Sequence, residues 1–383
     1  MTISTSRFLT AASISTLIAL AGCGPVVTPD ASTEAGGADA SSEAGGGTER
    51  TLTYVISTLD VDPTPADSNT AIAGFNLDGL FTDEDGTTPR SCGKPDNPSM
   101  LDRDQNCPTA MVGADGRCAT AGCAPGAGCR GGVDNQLPAV ADAIEAAASA
   151  QFPMGVRPLI REQFTTNKIS LVIRVTGVNN LENDDAVMVK VYNAYPTFSD
   201  GCNAVTSGRE YAIAADAVTG GNIEMPTIPA FEGRIVAGRL VISRPGQFPL
   251  PLPEIMGARI MLTLTNAQLR LNITEDRGTG GNLGGMFNGS QLLTVVQRLA
   301  PEFSMQVTSL IGGFVDIEEP IPTPGSMAGV CSDRMSMPPR FGNIGVGLRF
   351  ETVRATVAAA PAAARGVGTC GYTAPAEAGA PRG

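Results

Sequence analysis

Oxygen-bearing side chains recur at alternate positions in one part of this chain, with glycines among them: Asn76-Leu77-Asp78-Gly79, Asp83-Glu84-Asp85-Gly86, Asp102-Arg103-Asp104-Gln105-Asn106 and Asp134-Asn135. Calcium takes about six to eight hard oxygen ligands from a chain that turns tightly around it. Asn76, Asp78, Asp83, Asp85, Asp102, Asp104, Asn106 and Asp134 are therefore the candidate ligands of a structural Ca2+ ion. The same residue types build Asx turns, so a solvated acidic loop is the competing explanation. An EF-hand is excluded, because the twelfth position counted from Asp102 is Gly113, where a bidentate glutamate belongs.

Sulfur is the second source of chemistry. The chain has nine cysteines; Cys23 stands apart, and Cys92, Cys107, Cys118, Cys123, Cys129, Cys202, Cys331 and Cys370 form an even set suited to disulfides. Because five of these fall between residues 92 and 129, full pairing requires at least one bridge from that cluster to Cys202, Cys331 or Cys370. Zinc is the rival for Cys118, Cys123 and Cys129, but the paired C-x-x-C spacing of a zinc knuckle is missing there.

Composition removes whole classes of function. Histidine is absent, which excludes a Ser-His-Asp triad, a Cys-His pair and every histidine-ligated metal. Paired carboxylates can still cleave a glycosidic bond without histidine, so a carboxylate-type glycoside hydrolase stays open. The net charge of -12 argues against nucleic acid as a partner. Aromatic residues make up 5% of the chain and tryptophan is absent, which favours a protein over a glycan as the ligand of any binding surface.

The elements that must position these groups follow from periodicity. Leu137, Val140, Ile144, Ala148 and Phe152 share a helical face, and further helices are expected at Pro158–Phe164, Ser290–Leu299, where Ser290 suits the cap, and Phe303–Phe314. Ile169, Leu171, Ile173 and Val175 alternate, as do Val187, Val189 and Val191, which predicts a hairpin. Strands are also expected at Thr51–Leu59, Arg209–Ala214, Gly233–Ser243, Arg259–Glu275, with a turn or bulge at Asn266 and Ala267, and Gly342–Val357. The fold class is mainly β: an antiparallel, sandwich-like body over residues 51–370, with two or three packed helices and a disulfide-rich acidic loop at 60–134.

The amino end reads as an address. Residues 8–21, FLTAASISTLIALA, are an apolar run too short for the hydrocarbon core, after a segment with one positive charge, Arg7. Leu20-Ala21-Gly22-Cys23 resembles the lipobox of bacterial lipoproteins. The resemblance implies a signal peptide at 1–22, lipid attachment at Cys23, and a membrane-anchored, extracytoplasmic protein. By resemblance to the sorting rule of enteric lipoproteins, glycine rather than aspartate at position 24 points to the outer membrane. Residues 23–50, rich in Gly, Ala and Ser, then form a tether, and residues 371–383 a frayed tail. Three further motifs, Gly74-Phe75-Asn76-Leu77-Asp78-Gly79, Gly132-Val133-Asp134-Asn135-Gln136-Leu137 and Ile344-Gly345-Val346-Gly347-Leu348-Arg349-Phe350, resemble uncharacterised secreted bacterial lipoproteins. The expected function is a non-catalytic module that binds an envelope protein or glycan, with the hydrolase or a purely structural envelope role as alternatives.

Overall fold

The structure is a computed structural model that describes residues 49–64, 72–75, 77, 92, 133–147, 154–198, 203–242, 244–251, 261–299, 304–319 and 329–362. In chain order its elements begin with β1 (Arg50–Asp60), α1 (Leu137–Ala147), α2 (Val156–Thr165), β2 (Ser170–Val178), β3 (Asn183–Pro196) and β4 (Arg209–Ile213). Next come β5 (Val218–Thr219), β6 (Asn222–Pro226), β7 (Phe231–Val236), β8 (Arg239–Ile242), β9 (Gly246–Pro251) and β10 (Met261–Ile273). The chain continues through β11 (Arg277–Asn288), α3 (Gly289–Leu299), α4 (Ser304–Phe314), β12 (Ser332–Asp333), β13 (Arg340–Phe341) and β14 (Asn343–Val357).

Alternation along the strands sorts apolar from polar side chains, and hydrogen bonding rolls the strands into a closed ring. β1, β2, β3, β7, β8, β10, β11 and β14 pair in that order, every neighbour antiparallel, and β14 returns to β1. An eight-stranded barrel of this kind is just wide enough for side chains to fill. Tyr54, Ile56, Leu171, Ile173, Val189, Leu240, Leu269, Leu283, Leu348 and Phe350 all point inward and are buried. At about 25 cal/mol per Å2 of apolar surface removed from water, this interior is the main source of stability.

The expectation of a mainly β body holds, and the sandwich is corrected to a barrel. The β1–β14 and β3–β7 pairings close what would otherwise be open sheet edges. Two-layer packing survives on the flank covered by β4. β4 joins β3 antiparallel and β14 parallel, and Tyr211 and Ile213 of β4 bury against Val55 and Val172, outward residues of β1 and β2.

The ends of the barrel differ. At one end the hairpin turns interlock through main-chain bonds, Gly238 N–H to the Glu182 carbonyl and Ile273 N–H to the Gly238 carbonyl, 2.9 Å each. At the other, α1 and α2 add Ala141 and Phe164 to the core. Gly155 offers no capping side chain to α2, so Glu145 of α1 supplies one: its Oε1 accepts the Val156 and Arg157 N–H groups at 2.8 and 3.3 Å. The Thr64 hydroxyl and then the Arg157 guanidinium hold the Asp142 carboxyl below the usual range, against the opposing effect of burial. Four helices are described, at the four places where periodicity marked one although the fold class allowed two or three, and Asn288 rather than Ser290 caps α3, accepting the Gln291 N–H at 3.0 Å. Ser290 instead accepts the Phe341 N–H at 2.9 Å.

The expected disulfide-rich loop falls almost wholly outside the described residues. Among the described residues a single bridge is formed, Cys92–Cys331, which does tie the cysteine cluster to the β body. Cys107, Cys118, Cys123, Cys129, Cys202 and Cys370 lie outside the described residues, as do residues 23–48, while Arg50, expected in the tether, opens β1.

Candidate functional site

The outward faces of β11 and β14 are unusually bare. Asn282 and Gly284 on β11 and Gly345, Gly347 and Arg349 on β14 alternate with the core residues Leu283, Val346, Leu348 and Phe350. Glycine at successive outward positions leaves room for another backbone to lie on the sheet. Residues 73–75 and 133–136 fill that space: Asp134 N–H bonds to the Phe75 carbonyl at 3.0 Å and Gln136 N–H to the Gly345 carbonyl at 2.9 Å. A Cβ at Gly347 would stand 2.1 Å from the Ala73 carbonyl oxygen, and one at Gly284 2.4 Å from the Phe75 ring. Phe75 itself is buried beside Leu77, Met286 and Ile317.

Buried polar side chains bind this strap to the barrel. Asn282 pairs reciprocally with Gly74, accepting its N–H at 2.8 Å and donating to its carbonyl at 3.0 Å, as a strand neighbour would. Asn135 donates to the carbonyls of Ala73 and Gly347 at 2.8 and 3.2 Å. Asp62 accepts the Ala73 N–H at 2.6 Å and Arg349 Nε at 2.8 Å. Asp134 accepts the Leu77 N–H at 2.5 Å, and Asp316 the Gly345 N–H at 2.7 Å. The three motifs singled out in the sequence therefore meet at one seam, where their polar groups hold chain to chain.

Of the candidate calcium ligands only Asp134 falls among the described residues; Asn76, Asp78, Asp83, Asp85, Asp102, Asp104 and Asn106 lie outside them. Among the described residues no three Cys, Asp or Glu side chains converge as a metal would require. Asp62, Asn282, Asp316 and Arg349 were not singled out as site residues in the sequence. The signal available was the glycine at successive outward positions of β14, a strand that otherwise alternates cleanly.

At the interlocked end of the barrel, Leu181, Glu182, Ala237, Gly238, Ile273, Thr274 and Glu275 line a shallow depression of about 500 Å3. Each of its walls is a hairpin turn: β2–β3, β7–β8 and β10–β11. Tyr54 reaches up from the core to donate to the Thr274 carbonyl at 2.5 Å, and burial raises its phenol pKa, so it stays a donor at neutral pH. Arg50 pairs with Glu275 at 2.6 Å, whereas the Glu182 carboxylate, exposed to solvent, makes no bond to any described residue. Leu181, Ala237 and Ile273 give the depression an apolar lining beside the Glu182 carboxylate. No protein-family model, curated protein or solved structure matches the chain.

Proposed function

We propose that this protein is a lipid-anchored, extracytoplasmic binding module without catalytic activity, held to a bacterial membrane through Cys23 and presenting the turn end of its barrel to an envelope partner. The carrying observation is the division of labour in the barrel: its interior is filled by apolar side chains, while the buried polar groups of the seam bond main chain to side chain. The fold supports this reading because such a scaffold offers rigid loops on a packed core. The tether fits it too, since β1 begins at Arg50, beside Glu275 in the wall of the depression.

A photo-crosslinking residue at Leu181, introduced into the full chain on intact cells, is expected to capture one specific envelope component. The same residue at Glu162, on α2 at the opposite end, is expected to capture none. Equal capture at both positions, or none at either together with a blank glycan array, overturns the proposal.

Two carboxylates, Glu182 and Glu275, line the same depression, and this favours glycoside hydrolysis as the second reading. Under it, purified protein degrades a polysaccharide and Glu182→Gln abolishes the activity. Inactivity across a broad polysaccharide panel removes it.

A further inference from the structure

Lysine is scarce in this chain, occurring only at positions 94, 168 and 190, which makes the setting of Lys190 informative. It faces Arg174 directly across the β2–β3 ladder. Like charges in that relation repel. Both side chains are also largely withdrawn from water, at 11% and 13% exposure for Arg174 and Lys190. Such a pair is held together by an anion placed between its members, and here Glu224 is that anion, 2.9 Å from Arg174 and 2.6 Å from Lys190.

The contact extends beyond charge. Glu224 belongs to the β5–β6 hairpin, a two-stranded sheet of its own that is not paired into the barrel. Lys190 donates also to the Glu224 carbonyl at 3.2 Å, and the Tyr192 hydroxyl to the Ile223 carbonyl at 2.6 Å. Three neighbouring side chains on the outer face of β2–β3 thus read two successive main-chain carbonyls and one carboxylate. Met188, 40% exposed on the same face of β3, adds an adaptable apolar shoulder.

We infer that the Arg174–Lys190–Tyr192 surface is a recognition site for an extended acidic peptide, and that the β5–β6 hairpin is its resident occupant. The hairpin holds the site at the high effective concentration of a tethered ligand, so a peptide in trans competes only when the hairpin is released. The site is separate from the depression at the barrel end, and it does not depend on that depression binding anything.

The test uses the full chain and a fluorescent peptide with the hairpin's own sequence, Asn-Ile-Glu-Met-Pro. In Glu224→Lys the new cation is repelled by Arg174 and Lys190, and fluorescence anisotropy is expected to report binding at least tenfold tighter than to the unmodified protein. Adding Lys190→Met to that variant is expected to reverse the gain at least tenfold, and the peptide with glutamine in place of glutamate is expected not to bind. Should Glu224→Lys lose its cooperative thermal transition, Glu224→Gln serves as the opening variant. A folded opening variant that binds no more tightly than the unmodified protein, or that takes both peptides equally, overturns the inference.

Discussion

Asp62 illustrates how one carboxylate divides its bonds between partners of unequal worth. Its ion pair with Arg349 is half in solvent, with 49% of the arginine side chain exposed, so that interaction contributes less than about 1 kcal/mol. Its bond from the Ala73 N–H is buried, and losing it strands a donor at a cost of about 1–3 kcal/mol. Asp62→Ala is therefore expected to destabilise the protein clearly more than Arg349→Gln in urea unfolding. Glycine provides a second contrast. Gly347→Ala drives a Cβ into the Ala73 carbonyl and is expected to cost about 1–3 kcal/mol or more, with the strap becoming open to proteolysis. Gly313→Ala in α4 meets nothing within 4 Å and is expected to gain about 0.5–1 kcal/mol in the same assay. Neither contrast was legible in the sequence: Asp62 was one acid among many, and a glycine's neighbours lie far along the chain.

At the scale of elements, periodicity located most of what it could. The predicted hairpin at residues 169–191 became β2 and β3, and Asn266 marks a real irregularity in β10, with φ of 50° and a shift of register between Thr265 and Gln268. β11 escaped because four of its six residues before Leu283 are glycine or threonine, which hides the alternation. The expected strand Gly233–Ser243 proved to be two, β7 and β8, folded at Ala237 and Gly238, both at positive φ. The β5–β6 hairpin was invisible for another reason: it is short, and it is held to the barrel by contacts with distant strands, Val218 and Ile223 packing beside Val172 and Tyr192 and Glu224 pairing with Arg174 and Lys190. That makes it sensitive to acid. Lys190 and then Arg174 lower the Glu224 pKa below its ordinary value of 4.5. The stabilisation is complete above that value and is lost as pH falls through the lowered one. Hydrogen exchange over residues 218–227, corrected for intrinsic rate, is expected to accelerate below the ordinary carboxylate range while the barrel strands stay protected.

For the whole molecule, the decisive pairings join segments that no local pattern connects, which is why a sandwich and a barrel look alike in one sequence. Their tyrosines give the assembled body an alkaline limit. Burial raises the Tyr54 and Tyr192 pKa values, and that of Tyr211, which donates to Asn167 Oδ1 at 2.8 Å, is pushed up to about 12 from 10.0. The folded state thus binds these protons more tightly, and its stability is whole below pH 10 and drains away toward pH 12. Melting temperature is expected to fall across that window, less steeply in Tyr211→Phe. The Cys92–Cys331 bridge closes a separation of 239 residues, so Cys331→Ser is expected to lower unfolding stability by about 2–4 kcal/mol, with reductant having the same effect on the unmodified protein.

The ring is shut by its first strand meeting its last, Leu59 against Phe350 and Tyr54 against Arg354. The keystone is thus the last long strand of the chain, and any sheet formed without β14 keeps two raw margins, β1 and β11. Copies that end before Asn343 carry those margins permanently and are expected to join into insoluble stacks.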